Sequence, residues 1–225
     1  QSFRVENNHL RYANAGLYLC NSSQGMISNN ICHGGYYGIF LDCSSNNILT
    51  NNEYSQNSLY GYGCGIYLYS SNYSSLFNNS CSYNDVSGGD GDGYFYGILV
   101  SSSRGNVLMN NSCSSNSASS GEFGTCGSYG IFLEESSQNA LMDNDCLGNI
   151  AGGIFGGAGF GIFISNSSRN TIAGNDCSYS NGMGGYGLYI TSSSDENTIM
   201  NNICRGNRDL GIDIYSSNLN IITNN

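Results

Sequence analysis

The sequence predicts an all-β protein wound as a parallel β-helix, a solenoid of about eight coils with three short strands in each. Three observations carry this: a phrase that recurs eight times, an apolar period of two inside each copy, and the absence of proline from all 225 residues. The phrase opens on Gly16, Gly38, Gly65, Gly97, Gly130, Gly161, Gly187 and Gly211, which lie 22 to 33 residues apart. Repeats of this length are stacked units, none of which buries its apolar face alone. A buried parallel strand cannot lose a hydrogen-bond donor, so the missing proline agrees.

The first strand follows the glycine, as in Leu17-Tyr18-Leu19, Ile39-Phe40-Leu41, Ile66-Tyr67-Leu68 and Ile131-Phe132-Leu133. Its period of two sends the flanking aliphatics inward and the central residue outward. A Ser-rich turn leads to the second strand, centred on Ile27, Leu49, Leu76, Leu108, Leu141, Ile172, Ile199 or Ile222. An Asn column follows: Asn30, Asn52, Asn79, Asn111, Asn144, Asn175, Asn202 and Asn225. The third strand carries Cys32, Tyr54, Cys81, Cys113, Cys146, Cys177 or Cys204, and a second Asn column (Asn57, Asn84, Asn116, Asn149, Asn207) closes the phrase. Stacked at the interstrand step of about 4.8 Å, these columns become aliphatic ladders and amide ladders. The variable segments 58–64, 85–96, 117–129 and 150–160 all precede a glycine. They read as loop inserts raising a lobe on one edge of a single domain spanning 1–225.

Net charge is −10 and lysine is absent; the cations are Arg4, Arg11, Arg104, Arg169, Arg205 and Arg208. Nucleic-acid binding needs clustered cations and is disfavoured. No apolar run reaches the length of a membrane span. A start at Gln1 rather than Met reads as a mature, secreted chain with its signal removed, placed outside the cell or on its surface.

Six of the ten cysteines share one column. Stacked Cβ atoms stay near the coil step, longer than a disulfide wants, so Cys32, Cys81, Cys113, Cys146, Cys177 and Cys204 read as buried free thiols. A linear ladder offers a metal too few convergent ligands, so neither metal nor other cofactor is implied. Cys20 and Cys43 lie in the same turn of adjacent coils, offset by one, with spacing that permits a bridge; a Cys64–Cys126 pairing is a weaker guess. Asp90 and Asp92 lie in the Gly-rich run 88–93. That run is similar to a calcium loop, but its carboxylates are off the pattern and unrepeated, so it reads as an acidic turn.

The phrase Gly-Ile-Phe-Leu…Ser-Ser-x-Asn-x-Ile…Asn-x-Cys-x-x-Asn resembles the right-handed parallel β-helix repeat of carbohydrate-binding and sugar-hydrolase proteins, closest to its NosD-like and archaeal surface-protein branch. The resemblance covers essentially residues 3–225. It implies a right-handed fold but no one function, because that fold hosts enzymes, adhesins and inert surface proteins.

Enzymes on this fold need convergent carboxylates or a general base. His9 and His33 lie near the N-terminus, while Glu134-Glu135 and Asp195-Glu196 lie in turns. Asp143 and Asp145 flank Asn144, and Asp209 and Asp213 lie near the C-terminus. No catalytic constellation emerges. The outward residues Tyr18, Phe40, Tyr67, Phe132, Phe163 and Tyr189 form an aromatic stripe, read first as covered by the inserts, then as a surface for glycans or a second copy. Sequons at Asn21, Asn72 and Asn166 sit in the Ser-rich turn; Asn78 and Asn110 adjoin the inner Asn column and read as poorer acceptors. Both termini run in phase with the repeat, without caps. The leading expectation is an extracellular structural subunit stacking head to tail through Phe3, Val5, Asn8 and Leu10 at one end and Ile212, Ile214, Ile222 and Asn225 at the other. The alternatives are a carbohydrate-binding adhesin using the stripe, and a polysaccharide lyase or hydrolase.

Overall fold

In the computed structural model, which describes residues 2–11, 14–153 and 156–225, the coils stack into parallel sheets. One sheet holds eight strands led by the glycines, from Ala15–Cys20 through Tyr37–Asp42 and Gly93–Ser101 to Leu210–Ile214. A second holds nine, from Arg4–Glu6 through Met26–Ser28 and Val107–Met109 to Ile221–Thr223. The third face is thinner than a full strand. His9–Arg11 pairs with Ile31–His33, and beyond them single bridges run Glu53, Ser80, Ser112, Asp145, Asp176, Ile203. Every strand pairs in parallel with the equivalent residues of the next coil, Leu76 with Leu49 and Leu108, for example. Parallel strands joined by crossovers wind right-handed almost without exception.

The core is the set of stacked columns. Ile39, Ile66, Ile98, Ile131, Ile162 and Leu188 form one, and Leu41, Leu68, Val100, Leu133, Ile164 and Ile190 another. Ile27 to Ile199 face them from the second sheet.

The corners explain the Asn-Asn doublets. Its first member takes the left-handed conformation that Asn tolerates better than most residues: Asn29, Asn51, Asn78, Asn110 and Asn201 all have φ between 53° and 55°. That turn aims the second member inward. Asn111 is typical: its Oδ1 accepts the backbone N–H and the Nδ2 of Asn79, both at 3.0 Å. Its own Nδ2 donates to Leu76 O and to Asn144 Oδ1, both at 3.0 Å. The ladder thereby gives the corner's buried backbone groups partners that a bend in a sheet would strand.

The inserts are strands rather than loops. Ser58–Tyr60, Asp85–Ser87, Ser117–Ser120 and Ile150–Gly153 make a fourth parallel sheet, and the glycine-led strands of these coils lengthen to eight or nine residues. Leu59, Val86 and Phe95 join the main core, while Ala118, Cys126 and Ala151 form a small core of their own. Gly, Ser and Tyr composition reads as turn, but each strand is paired in register with a neighbouring coil, and that pairing overrides propensity.

Candidate functional site

Two features dominate the chemistry of the coils: the wall where glycines meet thiols, and the rings outside it. A Cβ on Gly65 would stand 2.5 Å from Cys81 Sγ, and one on Gly97 2.8 Å from Cys113 Cβ and 2.5 Å from Gly130 O. The opposing walls are therefore too close for any side chain at the glycine, and the facing residue must be small. Tyr54 is the exception, its ring over Gly38 and its hydroxyl donating to Gly35 O. Cys32, Cys81, Cys113, Cys146 and Cys177 are buried free thiols; Cys204, in the last coil, is half-buried. Burial pushes Cys32 up to about 12 and holds Cys113 and Cys177 well above the ordinary thiol range. A hydrogen bond from Cys177 brings Cys204 down.

The pairing of the glycine-led strands skips the glycine itself: Tyr96 pairs with Tyr129, then Ile98 with Ile131. Gly97 and Ile98 thus both face inward, the strand bends, and the outward residues on either side of the bend converge. The predicted stripe is met there by a second aromatic column, Tyr37, Tyr96, Tyr129, Phe160 and Tyr186, each immediately before its glycine. Tyr129 lies 5.3 Å from Phe132 and Phe160 lies 4.9 Å from Phe163, centroid to centroid. Where Cys64 and Leu99 interrupt the two columns, Tyr62 bridges Tyr37 to Tyr96, so ring contact runs unbroken from Tyr18 to Tyr189. This column lies over the stripe, and its Tyr96, Tyr129 and Phe160 are the closing residues of the inserts 85–96, 117–129 and 150–160. Only Tyr18 of the six stripe residues is exposed.

Orientation decides what these rings offer. Phe40 and Tyr67 stack at 4.7 Å and 13°, Tyr96 and Tyr129 at 4.9 Å and 7°, and Phe160 and Tyr186 at 5.3 Å and 10°. In these pairs the facing ring surfaces are spent on one another along the helix axis, while Phe163 stands edge-on to Tyr129, Phe132 and Phe160 at 82° to 89°. Such pairs contribute about 0.5–1.5 kcal/mol each beyond area burial. The stack is a spine for the bend more than a platform for sugars.

Among the described residues the His, Asp and Glu side chains meet at most in pairs, with no group of three His, Cys, Asp or Glu that could hold a metal. His33 pairs in register with Arg11, and His9 with Ile31. Asp145 and Asp176 are bridge partners on the third face, where burial and Asp176 raise the Asp145 carboxyl. Glu196 is bound by Arg169 at 2.9 Å, and Asp92 Oδ1 accepts the Thr125 N–H at 2.7 Å. Among the sequon residues, Asn21 and Asn166 are exposed left-handed corners, while Asn72 is half-buried with its Oδ1 taken by the Arg104 N–H. Asn78 and Asn110 correct the sequence reading: they are exposed left-handed corners too, because the following Asn, not they, enters the ladder. Cys20 and Cys43 are exposed, whereas Cys64 and Cys126 are buried. Cys64 aligns with Tyr96 of the next coil, but Cys126 aligns with Gly93, in a different column two coils from Cys64.

Sequence reasoning missed a third amide ladder, Asn47, Ser74, Asn106, Asn139, Asn170, Asn197 and Asn220. Its signal was Asn or Ser two residues before the second-strand aliphatic.

An uninterrupted stack of parallel coils, held by internal amide ladders and an external ring spine, defines a right-handed parallel β-helix protein. The chain belongs to the family described as periplasmic copper-binding protein (NosD), whose profile matches residues 1–156 and 90–209. No curated protein matches it. Of solved structures, the mannuronan C-5 epimerase AlgE6 A-module of Azotobacter vinelandii is similar at 13% identity and TM-score 0.68, covering 96% of this chain and 58% of that one. The periplasmic alginate epimerase AlgG is 18% identical, with 89% and 50% covered and a TM-score of 0.47. The chain thus spans little more than half the length of these enzymes, and the likeness is one of fold.

Copper asks for convergent thiolate, thioether or imidazole donors. Among the described residues no three His, Cys, Asp or Glu side chains are grouped to hold a metal. Burial keeps Cys32, Cys113 and Cys177 protonated, and Met109 and Met142, register partners, are only two donors. These residues do not fit a copper centre. No helix among the described residues is long and apolar enough to cross a membrane.

Proposed function

We propose that this chain is a structural β-helix of the extracytoplasmic space, extended end to end by further copies of itself into a fibre or surface layer. The observation that carries the reading is the direction of the amide ladder. At each coil the Asn backbone N–H and Nδ2 donate to the Oδ1 of the next coil, from Asn8 to Asn30 and onward to Asn202 and Asn225. The ladder thus keeps one sense from coil to coil, and a coil supplied by a further copy would continue it in that sense. Val5, Leu10, Ile212 and Ile214 are half-buried and Ile222 is 47% exposed, so coils from further copies would bury them more fully. Phe3, its ring over Gly25, belongs to the first coil. Arg4 lies 3.8 Å from Glu6 of its own coil, so charge contributes less to register than the ladders do. Sugars at the corner sites Asn21 and Asn166 would point away from both ends of the stack.

Glycan binding along the spine has weaker support, since the ring faces are occupied; polysaccharide catalysis lacks converging acids and bases. The test is assembly of the purified chain followed by sedimentation and electron microscopy. Growth of filaments with concentration, abolished by Ile222→Pro while the far-UV spectrum stays β-rich, is the expected result. A chain that stays monomeric at high concentration, or a proline variant that still grows, overturns the reading and moves the glycan-binding module to first place.

A further inference from the structure

Only two of the ten cysteines are exposed, and they are neighbours. Cys20 ends the strand Ala15–Cys20 and faces Asp42 in register across the first two coils. Cys43 follows Asp42 at the corner, in the left-handed conformation (φ 50°), its N–H held by Tyr69 O at 3.0 Å. Asn21, next to Cys20, donates its N–H to Asp42 O at 3.0 Å, so the two corners are locked one above the other. One interstrand step of about 4.8 Å and one residue along the chain place the two Cα atoms about 6 Å apart, inside the window of about 4.4–6.8 Å that disulfides span. The column thiols share a position, so their Cβ vectors run parallel. Cys20 and Cys43 are offset by one residue, and the left-handed corner breaks that alignment.

We propose that Cys20 and Cys43 form a disulfide that fastens the first coil to the second in an oxidising compartment. The two thiols give up two protons and two electrons to a disulfide oxidant, which leaves as two thiols, and one S–S bond forms. A periplasmic family places the chain where such bonds persist. The bond ties the strand Ala15–Cys20 to the corner of the following coil. The Asp42 carboxylate, which also accepts the Tyr18 hydroxyl at 2.8 Å, holds the Cys43 thiol protonated. Oxidation is therefore slow at neutral pH, and Asp42→Asn is expected to speed it several-fold.

The test equilibrates the reduced full chain with a glutathione and glutathione-disulfide buffer set to an extracytoplasmic poise. The expected product is a monomer lighter by two hydrogens, with a Cys20–Cys43 linked peptide in a non-reducing digest. Native alkylation labels both residues before oxidation and neither after. Amide exchange across 3–20 slows on oxidation of the unmodified chain, and does not in Cys43→Ser. Separate glutathione adducts on both cysteines, linkage of either to a column cysteine, a disulfide dimer, or two thiols still free at equilibrium would each overturn the proposal.

Discussion

Replacing Asn111 by Leu tests whether the amide ladder holds the coils together or merely decorates them. The side chain is 1% exposed, and Leu has the same branched shape with somewhat bulkier ends, so no cavity is left. What disappears is hydrogen bonding. The Asn79 Nδ2 keeps Leu49 O, and Asn144 Oδ1 keeps the backbone N–H of residue 111. The Asn79 backbone N–H and the Leu76 carbonyl lose the partners that Asn111 supplied. Each stranded buried group costs about 1–3 kcal/mol, and the added apolar burial returns about 1 kcal/mol, leaving a loss of about 3 kcal/mol. Of the 5–15 kcal/mol typical of a folded domain that is a large fraction.

Asn111→Asp sharpens the test. Ionised, it sets a second carboxylate oxygen against Leu76 O and Asn144 Oδ1, both acceptors. Protonated, its O–H restores a donor. Burial raises the folded-state pKa of this carboxyl above the unfolded value of about 3.9. The variant is therefore least penalised below that value, and the penalty grows as pH rises towards the folded-state pKa. Urea unfolding followed by far-UV circular dichroism at pH 4 and pH 8, each against the unmodified chain, reads both effects. A loss below about 1 kcal/mol for Asn111→Leu, or a pH-independent penalty for Asn111→Asp, would refute the ladder as a source of stability.

Ser180 interrupts the second Asn column, and its Oγ and the Asn207 Nδ2 are buried without partners. Ser180→Asn is expected to restore the amide step and raise stability by about 1 kcal/mol, read as a higher urea midpoint with an unchanged slope. Alkaline pH should unfold the chain steeply. Burial raises Cys32 and Tyr67 to about 12 from ordinary values of 9.0 and 10.0, so their contribution is complete below those ordinary values and is lost as pH rises towards 12. Cys32, buried, removes up to about 1.4 kcal/mol per pH unit where it ionises only on unfolding, and half-buried Tyr67, partly screened by solvent, removes less. A midpoint that stays flat from pH 9 to pH 11.5 would contradict the burial of these columns.

The parts of this fold legible in the sequence were those in which one position recurs in every coil and its chemistry has one physical use. Ile and Leu at a period of two must face a core, and Asn at a fixed offset beside a turn must stack. Where the same residue type serves two environments, the reading failed. Asn106 and Asn139 sit among serines in a stretch that reads as solvated turn, yet both are fully enclosed, because each left-handed corner throws the next residue inward. The Ser-Ala-Ser-Ser run 117–120 has no strand propensity to speak of, but neighbours in register supply what propensity lacks. The aromatic cover was visible as rings preceding five of the eight glycines. What the sequence could not express was the bend, which depends on two consecutive residues facing inward. Glycine at the bend leaves the space that the thiol wall occupies, so the Gly column, the Cys column and the ring spine meet at one point of each coil. A Cβ at Gly97 would push against Cys113 and against the next coil's carbonyl together, which couples the inside of the solenoid to the outer face through a single missing methyl group.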